Sequence, residues 1–126
     1  MPDLVVYEKP TCSTCVKLRQ LLDDRGIAYE RVDYHRRGLT EEQVRELVRK
    51  AGVPIRDLLR TREPLHAELA LDDERRWTDE QIVGLVVEHP ALLQRPVVVS
   101  GDRAVLARPV ERALDLVEAG GAANGG

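Results

Sequence analysis

The chain holds two cysteines, Cys12 and Cys15, separated by two residues at the point where a short apolar strand hands over to a helix. That junction constrains the fold more than any other feature. The run Leu4-Val5-Val6-Tyr7 reads as a buried strand. After a loop from Glu8 to Thr11, the apolar positions Cys15, Leu18, Leu21 and Leu22 repeat at three and four, the spacing of one buried helix face. The helix is expected from about Cys12 or Ser13 to Arg25, with Gly26 ending it. Ile27 to Val32 is a second strand candidate, and a strand–helix–strand crossover sets its two strands parallel. Two thiols one turn apart at a helix start lie within reach of each other, and the positive helix end favours the reactive thiolate.

Beyond this unit the pattern turns helical. His35 to Gly38 reads as a polar loop, and Thr40 with Gln43 forms a capping box that starts a helix running to about Ala51. Ile55 to Arg60 suits a short helical turn and Glu63 to Leu71 a second short helix. Thr78 with Gln81 repeats the capping signature, and that helix should end near His89 because Pro90 disfavours helix before it. Pro96 to Val99 and Ala104 to Leu106 then read as strands joined at Gly101-Asp102. Pro109 suits the first turn of a last helix whose stripe is Val110, Ala113, Leu114 and Val117. With the helical insertion at about 39–90 set aside, the order β-α-β, β-β-α predicts an α/β, thioredoxin-like fold. Its parts would be a four-stranded mixed sheet with helices on both faces and an insertion between strands 2 and 3. Residues 1–118 would form this single domain and 119–126 a flexible Gly/Ala tail. Pro96 is the candidate for a cis proline before the third strand.

Composition narrows the function. A net charge of −3 and an aromatic fraction of 3% argue against nucleic acid as a partner, since neither phosphate neutralisation nor base stacking is provided for. No apolar stretch approaches the roughly 18 residues of a membrane span, and the N-terminus lacks a signal-peptide pattern. A cytoplasmic location is therefore expected, where a close cysteine pair is more often catalytic than structural. Zinc is not expected, because one pair supplies two ligands and His35, His66 and His89 have no ligand spacing around it.

Cys12 is the better nucleophile candidate, being first at the helix start, where the amides of Ser13 to Cys15 would point toward a bound anion. Cys15, one turn further in, would be the resolving thiol. The bland alternative is a pair of small core residues or an adventitious disulfide. Arg60, Arg95 and Arg108 stand at loop and strand junctions that can converge in space, and guanidinium forks match an oxyanion. Position alone favours, for each arginine, a surface ion pair with one of the 22 acids. Lys9 either helps ionise Cys12 or is a solvated loop lysine, His35 with Arg36 and Arg37 reads as an exposed basic loop, and Trp77 reads as packing.

Several segments resemble the ArsC/Spx family of thioredoxin-fold proteins. They are Val5-Val6-Tyr7-Glu8-Lys9-Pro10-Thr11-Cys12, Ile55 through Pro64, His89 through Val99, and Ala107-Arg108-Pro109. The resemblance covers Leu4 to Val117 and implies an ArsC-type arsenate reductase, an oxidoreductase that reduces arsenate to arsenite. By that resemblance Cys12 attacks the arsenate, and Arg60, Arg95 and Arg108 hold the oxyanion. It implies no bound cofactor, with glutathione, or reduced thioredoxin or glutaredoxin, as electron donor. The glutathione-coupled members typically carry Ser where this chain has Cys15. A Cys-x-x-Cys pair is instead characteristic of Spx-type regulators that sense oxidation and bind the RNA polymerase alpha subunit. That role, and a general thiol–disulfide oxidoreductase, are the alternatives.

Overall fold

The computed structural model describes residues 4–117, so the tail expected at 119–126 lies outside the described residues. Strand β1 (Leu4–Glu8) leads into helix α1 (Ser13–Asp24) and strand β2 (Glu30–Asp33). The one-turn helix α2 (Tyr34–Arg37) follows, then α3 (Glu41–Ala51), a 3-10 turn at Ile55–Leu58, α4 (Pro64–Glu68), α5 (Asp79–Glu88) and a 3-10 turn at Pro90–Leu92. Strands β3 (Val97–Ser100) and β4 (Arg103–Leu106) form a hairpin, and residues 112–117 are helical (α6). The sheet order is β2-β1-β3-β4, with β1 and β2 parallel and the other pairs antiparallel. This is the mixed four-stranded α/β architecture that the pattern predicts.

Strand alternation divides the interior in two. Leu4, Val6 and Val98 point to the face covered by Leu18 and Leu22 of α1 and by Ala113 and Leu116. Val97 and Val99 point to the other, where the insertion supplies Val44, Leu47, Leu58, Ile82, Val86, Leu92 and Leu93. Helix α1 ends at Gly26, whose φ of +66° is the left-handed conformation that favours glycine. Both capping boxes form as expected, Thr40 with Gln43 and Thr78 with Gln81.

Three local expectations are corrected. The second strand begins at Glu30 rather than Ile27. His35 to Gly38 is not a polar loop: the Asp33 carboxylate accepts the Arg36 N–H and caps α2. Tyr34 is fully buried there and its hydroxyl donates to the Leu93 carbonyl at 2.6 Å. His35 is drawn in with it, its ring centroid 4.5 Å from that of Tyr34 and its plane tilted by 39°. Pro109 does not open the last helix, because i-to-i+3 bonds from Arg112 to Pro109 and from Ala113 to Val110 shape a turn first. The Arg95–Pro96 bond is cis, as anticipated, and so is Arg108–Pro109.

The Tyr34 hydroxyl joins α2 to the segment that leads into Arg95. Tyr34→Phe leaves the buried Leu93 carbonyl without its donor, and urea unfolding should show a stability loss of about 1–3 kcal/mol. An unchanged midpoint would mean that this bond contributes nothing net.

Candidate active site

Cys12 is the N-cap of α1, its own N–H held by the Lys9 carbonyl at 3.0 Å. Its side chain is partly exposed, whereas Cys15, facing inward from the first turn, is fully buried. The loop before Cys12 is tied down by Arg19, which donates to the Pro10 carbonyl at 2.9 Å. Arg19 also lies 3.7 Å from the buried Glu8 carboxylate, which Arg31 of β2 holds at 2.8 Å. Strand end, thiol loop and helix thus share one polar anchor.

The three arginines reach the cleft beside this sulfur by separate routes. Leu59 forms an antiparallel bridge with Leu93, flanked by Arg60 N–H to the Leu92 carbonyl at 2.7 Å and Gln94 N–H to the Leu58 carbonyl at 2.8 Å. Those bonds lash the insertion to the segment entering β3 and set Arg60 near Arg95. Arg108, just past β4, donates through Nε to the Arg95 carbonyl at 2.8 Å and places Nη2 3.9 Å from Cys12 Sγ. Cys12, Arg60, Arg95 and Arg108 line one cleft of about 480 Å³, and no carboxylate among the described residues lines it. Arg95 is only 6% exposed, yet its Nε and Nη1 are enclosed with no hydrogen-bond partner among the described residues, as is Arg60 Nε. Enclosed guanidinium donors without acceptors are costly, and a bound oxyanion would supply the missing acceptors.

The same arrangement sets the thiol chemistry. Burial pushes the Cys12 thiol up, but the Cys15 N–H and thiol, the Arg95 guanidinium and the Thr14 N–H outweigh it and lower its pKa to about 7. Cys15 goes the other way, raised to about 12 by its burial, by the neighbouring Cys12 and by the Glu8 carboxylate. Near neutral pH the partly exposed Cys12 is therefore substantially ionised, while the enclosed Cys15 stays a protonated thiol.

The ArsC family model matches residues 7–116. The chain belongs to the ArsC family. An arsenate reductase of Neisseria meningitidis is 32% identical over 112 residues, covering 88% of this chain and 95% of its own. One from Synechocystis is 36% identical over 115 residues, covering 91% and 81%. Among solved structures, an arsenate reductase from Vibrio cholerae matches with a TM-score of 0.85 at 32% identity, over 90% of this chain and 96% of that one.

In this ArsC-family chain the five candidate residues, Cys12, Cys15, Arg60, Arg95 and Arg108, meet in one region, Cys15 behind the cleft wall rather than in it. Thr61, Arg62 and Gln94 also line the cleft and were not singled out from the sequence. The signal available for them was adjacency to Arg60 and Arg95. His35, expected on an exposed loop, has both ring nitrogens enclosed without partners among the described residues, and burial followed by the charges of Arg95 and Lys9 holds its pKa below the usual histidine value.

Alkylation of the reduced protein with iodoacetamide should modify Cys12 with a midpoint near pH 7 and leave Cys15 unmodified until the protein unfolds. Arg95→Ala removes a group that favours the Cys12 thiolate, so the midpoint should move to higher pH. A midpoint that stays in place would remove Arg95 from the account of Cys12 ionisation.

Proposed function

We propose that this protein reduces arsenate to arsenite, with Cys12 as nucleophile and Arg60, Arg95 and Arg108 as holders of the oxyanion. The observation that carries the reading is that three arginines, without carboxylate partners among the described residues, share one cleft with a low-pKa thiol. The relatives named above as arsenate reductases, aligned over nearly the whole chain, support the choice of anion.

The guanidinium groups neutralise an arsenate that would otherwise repel the thiolate and raise its pKa. The Cys12 thiolate attacks arsenic, an S–As bond forms, and one arsenic-bound oxygen leaves as water after protonation. A second thiolate then attacks the Cys12 sulfur. The S–As electron pair passes to arsenic, which leaves as arsenite, and a disulfide remains. In this reading Cys15, one helical turn away, is that second thiol, its proton passing to the departing arsenite oxygen. The resulting Cys12–Cys15 disulfide is opened by two equivalents of an external thiol, from glutathione or from reduced glutaredoxin or thioredoxin. In the glutathione-first variant, the external thiol attacks the Cys12 sulfur directly.

The cysteine pair by itself also suits a redox-sensing regulator that docks on the RNA polymerase alpha subunit, or a general thiol–disulfide oxidoreductase. Neither use requires three unpaired arginines around the sulfur, and that set weighs toward the oxyanion. Arsenite production by purified protein should be abolished in Cys12→Ser and should fall roughly 10²–10³-fold in Arg95→Ala, the scale of losing one preorganised donor. Cys15→Ser should stop turnover driven by thioredoxin, while turnover supported by glutathione alone would assign resolution to the external thiol. Absence of arsenite with every donor would overturn the reading.

A further inference from the structure

The cleft is larger and more positive than an arsenate ion requires. Even at the roughly 30 Å³ that a whole water molecule takes in the liquid for each of its five heavy atoms, a tetrahedral anion fills no more than about 150 Å³, against a cleft of about 480 Å³. Charge leads to the same place. A Cys12 thiolate and a dianion carry three negative charges, matched by Arg60, Arg95 and Arg108, while Arg62 adds a fourth guanidinium to the same cleft. Among the described residues Arg62 forms no salt bridge, and no Asp or Glu lines the cleft to engage it. Exposure sets its depth: Arg95 is 6% exposed, whereas Thr61 and Arg62 are open to solvent and make the outer wall.

We propose that Arg62, with the neighbouring Thr61 hydroxyl, is a rim subsite that holds a carboxylate of the small thiol that regenerates the enzyme. The inference rests on the arsenate-reductase reading for its need of an external thiol and extends it by assigning how that thiol is chosen. Cys15 is fully buried, so an incoming thiol reaches the disulfide through the Cys12 sulfur at the cleft floor. An incoming thiolate RS⁻ attacks Cys12 Sγ, the Cys12–Cys15 bond breaks, and Cys15 leaves with the electron pair and takes a proton. A second RS⁻ attacks the outer sulfur of the mixed disulfide, releasing RSSR and the Cys12 thiolate. A carboxylate several bonds away from the attacking sulfur reaches the rim while the sulfur is at the floor, and a thiol without a carboxylate gains nothing from Arg62. Arg62 thereby sets donor preference and takes no part in the chemistry at arsenic.

The test needs no arsenate, so its failure is separable from failure of the reductase reading. Protein oxidised with diamide is reduced by glutathione or by uncharged 2-mercaptoethanol, and the free thiols are trapped and counted by mass spectrometry. The ratio of the glutathione rate to the mercaptoethanol rate should fall about fivefold in Arg62→Ala, the scale of one solvent-screened guanidinium–carboxylate contact of about 1 kcal/mol. Arg62→Lys should restore most of it, the glutathione diethyl ester should lose the preference in wild type, and high salt should weaken it. A ratio unchanged by Arg62→Ala, or an ester as fast as the diacid, overturns the subsite. So does an effect seen only with a protein donor such as reduced thioredoxin, which would make Arg62 a docking contact for a macromolecule.

Discussion

Strand β1 runs antiparallel to β3, with Tyr7 opposite Val97 and Leu4 opposite Ser100, and β3 runs antiparallel to β4, with Val97 opposite Leu106. The carboxyl end of β1 therefore meets the amino end of β3 and the carboxyl end of β4 at one edge of the sheet. Cys12, Arg95 and Arg108 follow or precede those ends by two to four residues, so the register alone delivers all three to a common place. Open α/β sheets put their sites at strand carboxyl ends for the same reason of chain geometry. Loss of that register would scatter the site while leaving each local segment intact.

Arg60 is the one member the sheet does not position. It arrives through the insertion, and the short Leu59–Leu93 bridge with the bonds on either side of it ties that stretch to the segment entering β3. Leu58, Leu59, Leu92 and Leu93 are all buried in the same cluster as Ile82 and Val86. The apolar interior of the insertion is thus the support for a charged side chain at its rim. Arg95 is held as firmly, with Arg108 on its carbonyl, yet parts of its guanidinium have no acceptor. The fold spends apolar burial to hold donors unsatisfied, which is the arrangement expected where a ligand completes the bonding.

The polar anchor under the thiol loop adds a second electrostatic layer. Glu8 is 1% exposed and holds Arg31 and Arg19, so a negative charge sits behind Cys15 while the arginines of the cleft lie in front of Cys12. This gradient helps separate two chemically identical thiols into a nucleophile and a protonated partner. Cys15 is raised in part by Glu8, and Cys12 is lowered in part by Arg95.

Much of this was legible along the chain, because local forces decide it. Apolar period marked β1 and the inner face of α1, Thr40 and Thr78 marked two helix starts, and Gly101-Asp102 marked the hairpin. The thiol pair declared itself by spacing at a strand-to-helix junction, and the arginines became more than surface charges only through family resemblance. What the chain could not reveal were relations between distant residues. His35 looked solvated, since its neighbours are polar, yet its ring nitrogens are enclosed beside Tyr34, which bonds a carbonyl 59 positions away. Arg62 has no local pattern that sets it apart, and only the fold puts it on the outer wall of the cleft. Hydrogen-bonding and periodicity act over a few residues and so determine elements, caps and the nucleophile's setting from sequence alone. Which charges lack partners, how large the cleft is, and which thiol is ionised depend on burial and on groups far apart in the chain, and only the packed tertiary structure decides those.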